Sequence, residues 1–199
     1  LENAKHEMDI LYEASNKLVR ASTPAELLDA VSDYPRETGA INGTIGYFES
    51  WHPHWMEVVA TWGAKPINET PIGLRFDATQ RVMPLEMINN PYHPLFVEDV
   101  FTSEIAGEDS HNAARTRQSR ALAVLPLYFD DKWIGVLTFA WKDPRTFSER
   151  DERIFTALHQ QLSSITASKR LFQEMQARAE ALENAKHEMD ILYEASNKL

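Results

Sequence analysis

Apolar residues recur at alternating steps of four and three along the last part of the chain, at Leu171, Met175, Arg178, Leu182, Ala185, Met189, Leu192, Ser196 and Leu199. Seven of these nine are apolar, which is the a/d seam of a left-handed coiled coil. Ile191, Ala195 and Leu199 add a second apolar edge, suited to packing on a globular domain. From Ser148 to Leu199 there is neither Pro nor Gly. The pattern predicts one helix of roughly 75 Å at about 1.5 Å per residue, longer than a single domain is wide. The alternative is an amphipathic helix lying on its own domain.

The rest of the pattern reads in order. A first helix runs from Leu1 to about Arg20, and Thr23-Pro24-Ala25-Glu26 is a capping box with Pro at the first helical position. It opens a second helix over Ala25 to Tyr34, with Leu27, Leu28 and Val31 on one face. Strands are expected at Ala40 to Glu49 and Trp55 to Trp62, and a short one at Ile72 to Phe76. Between Asp77 and Ser119 the signal is mixed: a short helix at Pro84 to Asn89, an extended Pro94 to Val97, and an irregular helix near Asn112 to Arg117. Arg120 to Phe129 and Lys132 to Trp141 read as a hairpin around Asp130-Asp131. Val124, Leu125, Leu127, Ile134, Val136 and Leu137 are its expected core. Ser148 caps the last helix, whose first turns carry Ile154, Phe155, Leu158, Leu162 and Ile165. This order predicts an α+β domain over residues 21–165, with an antiparallel sheet and helices segregated to one face. Linker helices flank it at 1–20 and 166–199.

The two ends repeat each other. Leu1 to Leu18 and Leu182 to Leu199 are identical at every position, an offset of 182 − 1 = 181 residues. The economical reading is one period of a tandem array; a deliberately duplicated linker would read the same. In an array, the helix leaving one domain is the helix entering the next.

Composition narrows the chemistry. A net charge of −10, spread along the chain, speaks against a nucleic-acid surface. The absence of cysteine removes disulfides, thiolate nucleophiles and thiolate metal sites, and points to a reducing, cytoplasmic setting. The longest apolar run, Ala121 to Phe129, contains Pro126 and is too short to span a membrane. There is no Gly-rich phosphate loop, nucleophile elbow or metalloprotease helix motif, so the chain reads as non-enzymatic. His52-Pro53-His54 offers two imidazoles but no nearby third metal ligand. No cofactor is expected.

Three segments carry a family resemblance: Ala123-Val124-Leu125-Pro126-Leu127, then Gly135-Val136-Leu137-Thr138-Phe139, then Pro144-Arg145-Thr146-Phe147-Ser148 leading to Asp151-Glu152. Together they resemble the GAF domain, a small-molecule-sensing module of signalling proteins. Phe147, Asp151 and Glu152 also match part of the motif of cyclic-nucleotide-binding members, but Trp141-Lys142 stands where Asn-Lys would be. The resemblance implies a central antiparallel sheet of about six strands, a dimer-forming helix layer on one face and a ligand pocket on the other. Tyr47, Trp62, Phe76 and Phe139 are then candidates to line a pocket for a planar ligand, and Asp99 and His111 fall in the pocket-side region. Phe147 and the two carboxylates have a structural reading as well, anchoring the corner where strand becomes helix.

Two functions follow as expectations. One is a non-enzymatic module in a repeat array, forming a parallel homodimer, and possible filament, through Leu171, Met175, Leu182, Ala185, Met189, Leu192 and Leu199. The other is a ligand-gated sensor regulating an output domain such as a histidine kinase or cyclase.

Overall fold

The computed structural model describes residues 2–49, 55–63, 71–77, 87 and 89–196. These form a globular unit of residues 1–165 and a second unit, residues 166–199.

Helix α1 (Glu2–Arg20) turns Ala14 and Leu18 inward, with Ile10 and Leu11 half-buried beside them, and leaves Met8, Tyr12 and Val19 exposed. This is the i, i+4, i+8 face that its apolar spacing demands. Helix α2 (Pro24–Ala30) begins on the expected capping box: the Glu26 amide donates to Thr23 Oγ1 at 3.2 Å, and the Thr23 amide donates to Glu26 Oε2 at 3.2 Å. The helix expected through Tyr34 instead breaks after Ala30 and restarts as α3 (Asp33–Glu37). Pro35 explains the break, because continuing α2 would require an amide hydrogen that proline lacks. It is tolerated in the first turn of α3, where that amide would be unpaired anyway.

The strands are β1 (Ala40–Phe48), β2 (Trp55–Gly63), β3 (Arg75–Asp77), β4 (Leu95–Val97), β5 (Ala121–Phe129) and β6 (Lys132–Trp141). They form one six-stranded antiparallel sheet in the order β3-β2-β1-β6-β5-β4. First and last long strands, β1 and β6, thus pair at the centre. The β5–β6 hairpin closes on Asp130 (φ 49°) and Asp131 (φ 57°), the left-handed pair of a type I′ turn. β3 starts later than expected because Gly73, at φ 84°, spends the preceding residues on a turn. Helix α4 (Glu108–Arg117) starts earlier than expected, and of the expected helix at 84–89 only Met87 and Asn89 are described, both helical.

The core lies between the sheet and the start of α5 (Glu149–Ser196). Ile154, Phe155, Leu158 and Leu162 are buried there, and the Phe155 ring meets Tyr34 at 5.8 Å, Phe96 at 5.8 Å, Phe139 at 6.1 Å and Trp141 at 6.1 Å. All six hairpin residues expected in the core are buried. Among the described residues no helix is long and apolar enough to cross a membrane.

Candidate functional site

Side chains directly opposite one another in an antiparallel pair share a face of the sheet, so the register sorts the candidates. Gly43, opposite both Trp62 and Phe139, faces the helices together with them. A Cβ at Gly43 would run into the Trp62 indole, which is why glycine stands there. Thr44, opposite Thr61 and Thr138, faces the other way.

That far face carries two kinds of surface. One is apolar: Phe48, Met87, Val124, Trp133 and Val136 pack together, with Met56, Leu95, Leu122 and Tyr128 against them. The other is a row of hydroxyls crossing three strands, formed by Thr61, Thr44 and Thr138, all half-buried. Thr44 Oγ1 lies 3.3 Å from Thr61 Oγ1 and 3.1 Å from Asn42 Oδ1, to which it donates. The hydroxyls are thus fixed by the strands beside a buried apolar cluster. On α4, the Ser110 hydroxyl is buried without a hydrogen-bond partner among the described residues.

The loop between β4 and α4 is locked by charge and ring stacking. Asp99 accepts from the Phe101 amide at 3.1 Å and from Arg120 Nε at 3.2 Å, and its second oxygen pairs with the other end of the same guanidinium. Arg120 holds the Asp99 carboxyl below its ordinary range. Arg115 and Arg120 stand 5.6 and 5.7 Å from the Phe101 ring, and the His111 ring 5.6 Å. His111 Nε2 lies 2.9 Å from the Val100 carbonyl, the geometry of an N–H donating to it.

The Phe-and-Asp corner is equally occupied. Asp151 accepts from the Ser148 amide at 2.8 Å, the Ser148 hydroxyl at 2.6 Å and the Tyr34 hydroxyl at 2.8 Å, and it pairs with Arg145. The Asp151 amide donates back to Ser148 Oγ at 3.2 Å, a reciprocal cap on α5. Burial alone would raise the Asp151 pKa, but these donors outweigh it and hold the group below its ordinary value. Phe147 stacks on Phe96 at 4.8 Å and meets Trp141 at 5.4 Å. Trp141, at the position where the cyclic-nucleotide motif has its Asn, donates from Nε1 to the Thr38 carbonyl at 3.0 Å. Arg145 donates to the same carbonyl at 2.9 Å.

The sequence candidates therefore do not converge. Trp62 faces the helices: its Nε1 donates to Ser32 Oγ at 2.8 Å and Arg36 stacks on its ring at 4.7 Å. Phe139 is fully buried against Phe155. Tyr47, opposite Gly135, lies on the side of Phe139 and Leu137. These three are corrected from pocket lining to helix-side positions, because strand alternation sets their direction. Phe76 lies opposite Met56, on the far face. Asp99 and His111 meet only around Phe101. The threonine row was missed because its residues read as ordinary strand positions until the register brings three hydroxyls side by side. His52 and His54 lie outside the described residues, and among those described no three potential ligands gather for a metal.

In the second unit Leu171, Met175, Leu182 and Met189 are exposed by 52, 61, 73 and 66%. Ala185 is exposed too, while the Leu192 side chain and Leu199 lie outside the described residues.

Comparison with curated proteins found no match. Among solved structures, the phycocyanobilin-bound GAF domain from a cyanobacterial phytochrome is 18% identical with a TM-score of 0.64, covering 83% of this chain and 96% of that one. The GAF domain from Acinetobacter phosphoenolpyruvate-protein phosphotransferase is 16% identical with a TM-score of 0.62, covering 85% and 98%. The chromophore-binding domain of an unusual bacteriophytochrome from R. palustris is 10% identical with a TM-score of 0.68, covering 87% and 64%. At such identities the likeness speaks for the fold. The GAF domain profile matches residues 21–166, which takes in the six-stranded sheet, helices α2 to α4 and the capped start of α5, and so the chain belongs to the GAF domain family.

Proposed function

We propose that this GAF domain is a non-enzymatic signalling module that pairs with a second copy in parallel through the seam of α5 and relays or spaces signals through that helix. The observation that carries the reading is the exposure of Leu171, Met175, Leu182 and Met189 at coiled-coil spacing. Removing one such side chain from water is worth about 1.5–3 kcal/mol, so four per helix supply a substantial driving force for pairing. Light scattering tests it. The wild-type chain should be dimeric or larger, and Met175→Asp/Leu182→Asp should be smaller with an unchanged far-UV spectrum. A monomeric wild type would remove the reading.

The second reading is a ligand-gated sensor acting on an output domain such as a kinase or cyclase, and the half-buried row of threonine hydroxyls on the far face favours it. Of the structural neighbours, one is a phycocyanobilin-bound GAF domain and another a chromophore-binding domain. A tetrapyrrole here would have to be held without a cysteine linkage. Native mass spectrometry of the purified chain would reveal a retained small molecule; a mass equal to that of the bare chain, together with no thermal shift, would count against sensing.

A further inference from the structure

The seat that holds α1 has a second candidate occupant written into the same chain. Within the globular unit α1 is held by Ile10, Leu11, Ala14 and Leu18 on its inner face. Two ion pairs and a further contact tie it to the rest of the unit: Lys17 Nζ to Asp33 at 2.5 Å, Glu7 to Arg153 at 3.4 Å, and His6 Nε2 beside Glu37 at 3.8 Å. Every one of these α1 residues recurs 181 positions later, as Ile191, Leu192, Ala195, Leu199, Lys198, Glu188 and His187.

A receptor surface that recognises residues 1–18 has no chemical means of rejecting residues 182–199 of another copy. The seat is also imperfectly filled, since a groove of about 280 Å³ remains between Ile10 and Ala14 of α1 and Val31, Tyr34 and Leu158. Only Ala21, Ser22 and Thr23 join α1 to α2, a short hinge of the kind across which elements exchange between copies.

We propose that residues 182–199 of one copy dock in the α1 seat of a second copy, displacing the resident helix and making a head-to-tail contact that uses Leu192 and Leu199 and so competes with the coiled-coil seam at those two positions. The proposal rests on the duplicated segment and not on parallel pairing. The contact is heterologous, so it adds copies without closing. Met8 and Tyr12 stay exposed when α1 is seated, and their copies Met189 and Tyr193 would remain so. The resident helix competes at an effective concentration on the order of 1 mM, so at ~0.1 mM protein roughly one seat in ten should exchange.

The absence of native cysteine makes the test direct. Asp33→Cys and Lys198→Cys chains, carrying different dyes, are mixed and treated with a short bismaleimide; the Lys17→Cys/Asp33→Cys chain is the intramolecular control. The expected result is a two-dye 33–198 product whose yield rises with concentration. It should rise several-fold further when Leu18→Ala loosens the resident helix of the Asp33→Cys chain, with folding checked by circular dichroism. A control that cross-links internally while no 33–198 product forms at any concentration overturns the proposal. A 198–198 product alone also overturns it, yet leaves the coiled-coil reading standing.

Discussion

The Tyr34 hydroxyl donates a 2.8 Å hydrogen bond to Oδ1 of Asp151, tying α3 to the first turn of α5. Arg145 and Ser148 converge on the same carboxylate. Replacing Asp151 by Asn keeps the shape but leaves the mostly buried Arg145 charge unpaired. Asp151→Asn should cost about 3 kcal/mol in chemical denaturation, within the range for breaking a buried pair. Glu152→Gln, at the neighbouring exposed position, should cost less than about 0.5 kcal/mol. Equal effects would mean that the corner does not depend on Asp151.

The same network gives stability a defined pH window. Asp151 titrates below its ordinary 3.8 in the fold, so its contribution is present above that value and lost as pH falls through the folded pKa. Burial lowers His159 from 6.5, only partly offset by its bond to the Pro126 carbonyl, so the unfolded chain takes up this proton first and stability begins to fall below about pH 6.5. Burial and the bond to Asp151 push Tyr34 from 10.0 up to about 12. The unfolded phenol therefore ionises first, and stability should fall as pH rises from about 10 toward 12. Melting temperature against pH should show a plateau between these limits, and Tyr34→Phe should flatten the alkaline side.

Leu137 is fully buried at the centre of β6, opposite Ile45 and Leu125. Leu137→Ala should destabilise the domain by about 2–5 kcal/mol. Gly43→Ala should cost about 1–3 kcal/mol by the opposite route, forcing Trp62 off its seat. An unmoved midpoint for either would refute the strand register.

For the far face the expectation concerns binding. A ligand that binds only the folded state raises the melting temperature, by about 2.7 kcal/mol of stabilisation at a hundredfold excess over Kd. In a screen of tetrapyrroles, purines, amino acids and cyclic nucleotides, cyclic AMP and cyclic GMP should give no shift, because Trp141 is committed to Thr38. Any shift that is found should vanish in Thr44→Val/Thr138→Val, which removes two hydroxyls of the row. A ligand effect that survives this change would place the site elsewhere.

Much of the fold was legible because it rests on local signals. The capping box at Thr23, the apolar runs of the 121–141 hairpin and the cap at Ser148 each act within a few residues. The direction of the aromatic side chains was not legible. A sheet covered on both faces has near-continuous apolar strands, so alternation leaves no visible phase. A register shift between Ile45 and Gly46 changes which β2 residues share a face with β1. Trp62 and Phe139 thus looked like pocket lining and proved to be helix-side, while Thr44 and Thr138 gained meaning only as neighbours. The expected helix stops at Tyr34, before Pro35, but the break falls earlier, after Ala30, because Pro35 has no amide hydrogen to give the Val31 carbonyl.

Parallel pairing through α5 is probed most directly at Met175, which lies on the seam outside the duplicated segment. In a chain without other cysteines, Met175→Cys can form a disulfide only with another copy, and parallel pairing brings like seam positions together. Air oxidation should convert the native variant to a covalent dimer, and prior addition of Leu182→Asp should abolish it. A variant that stays monomeric under oxidation, with light scattering giving the mass of one chain, would rule out parallel pairing.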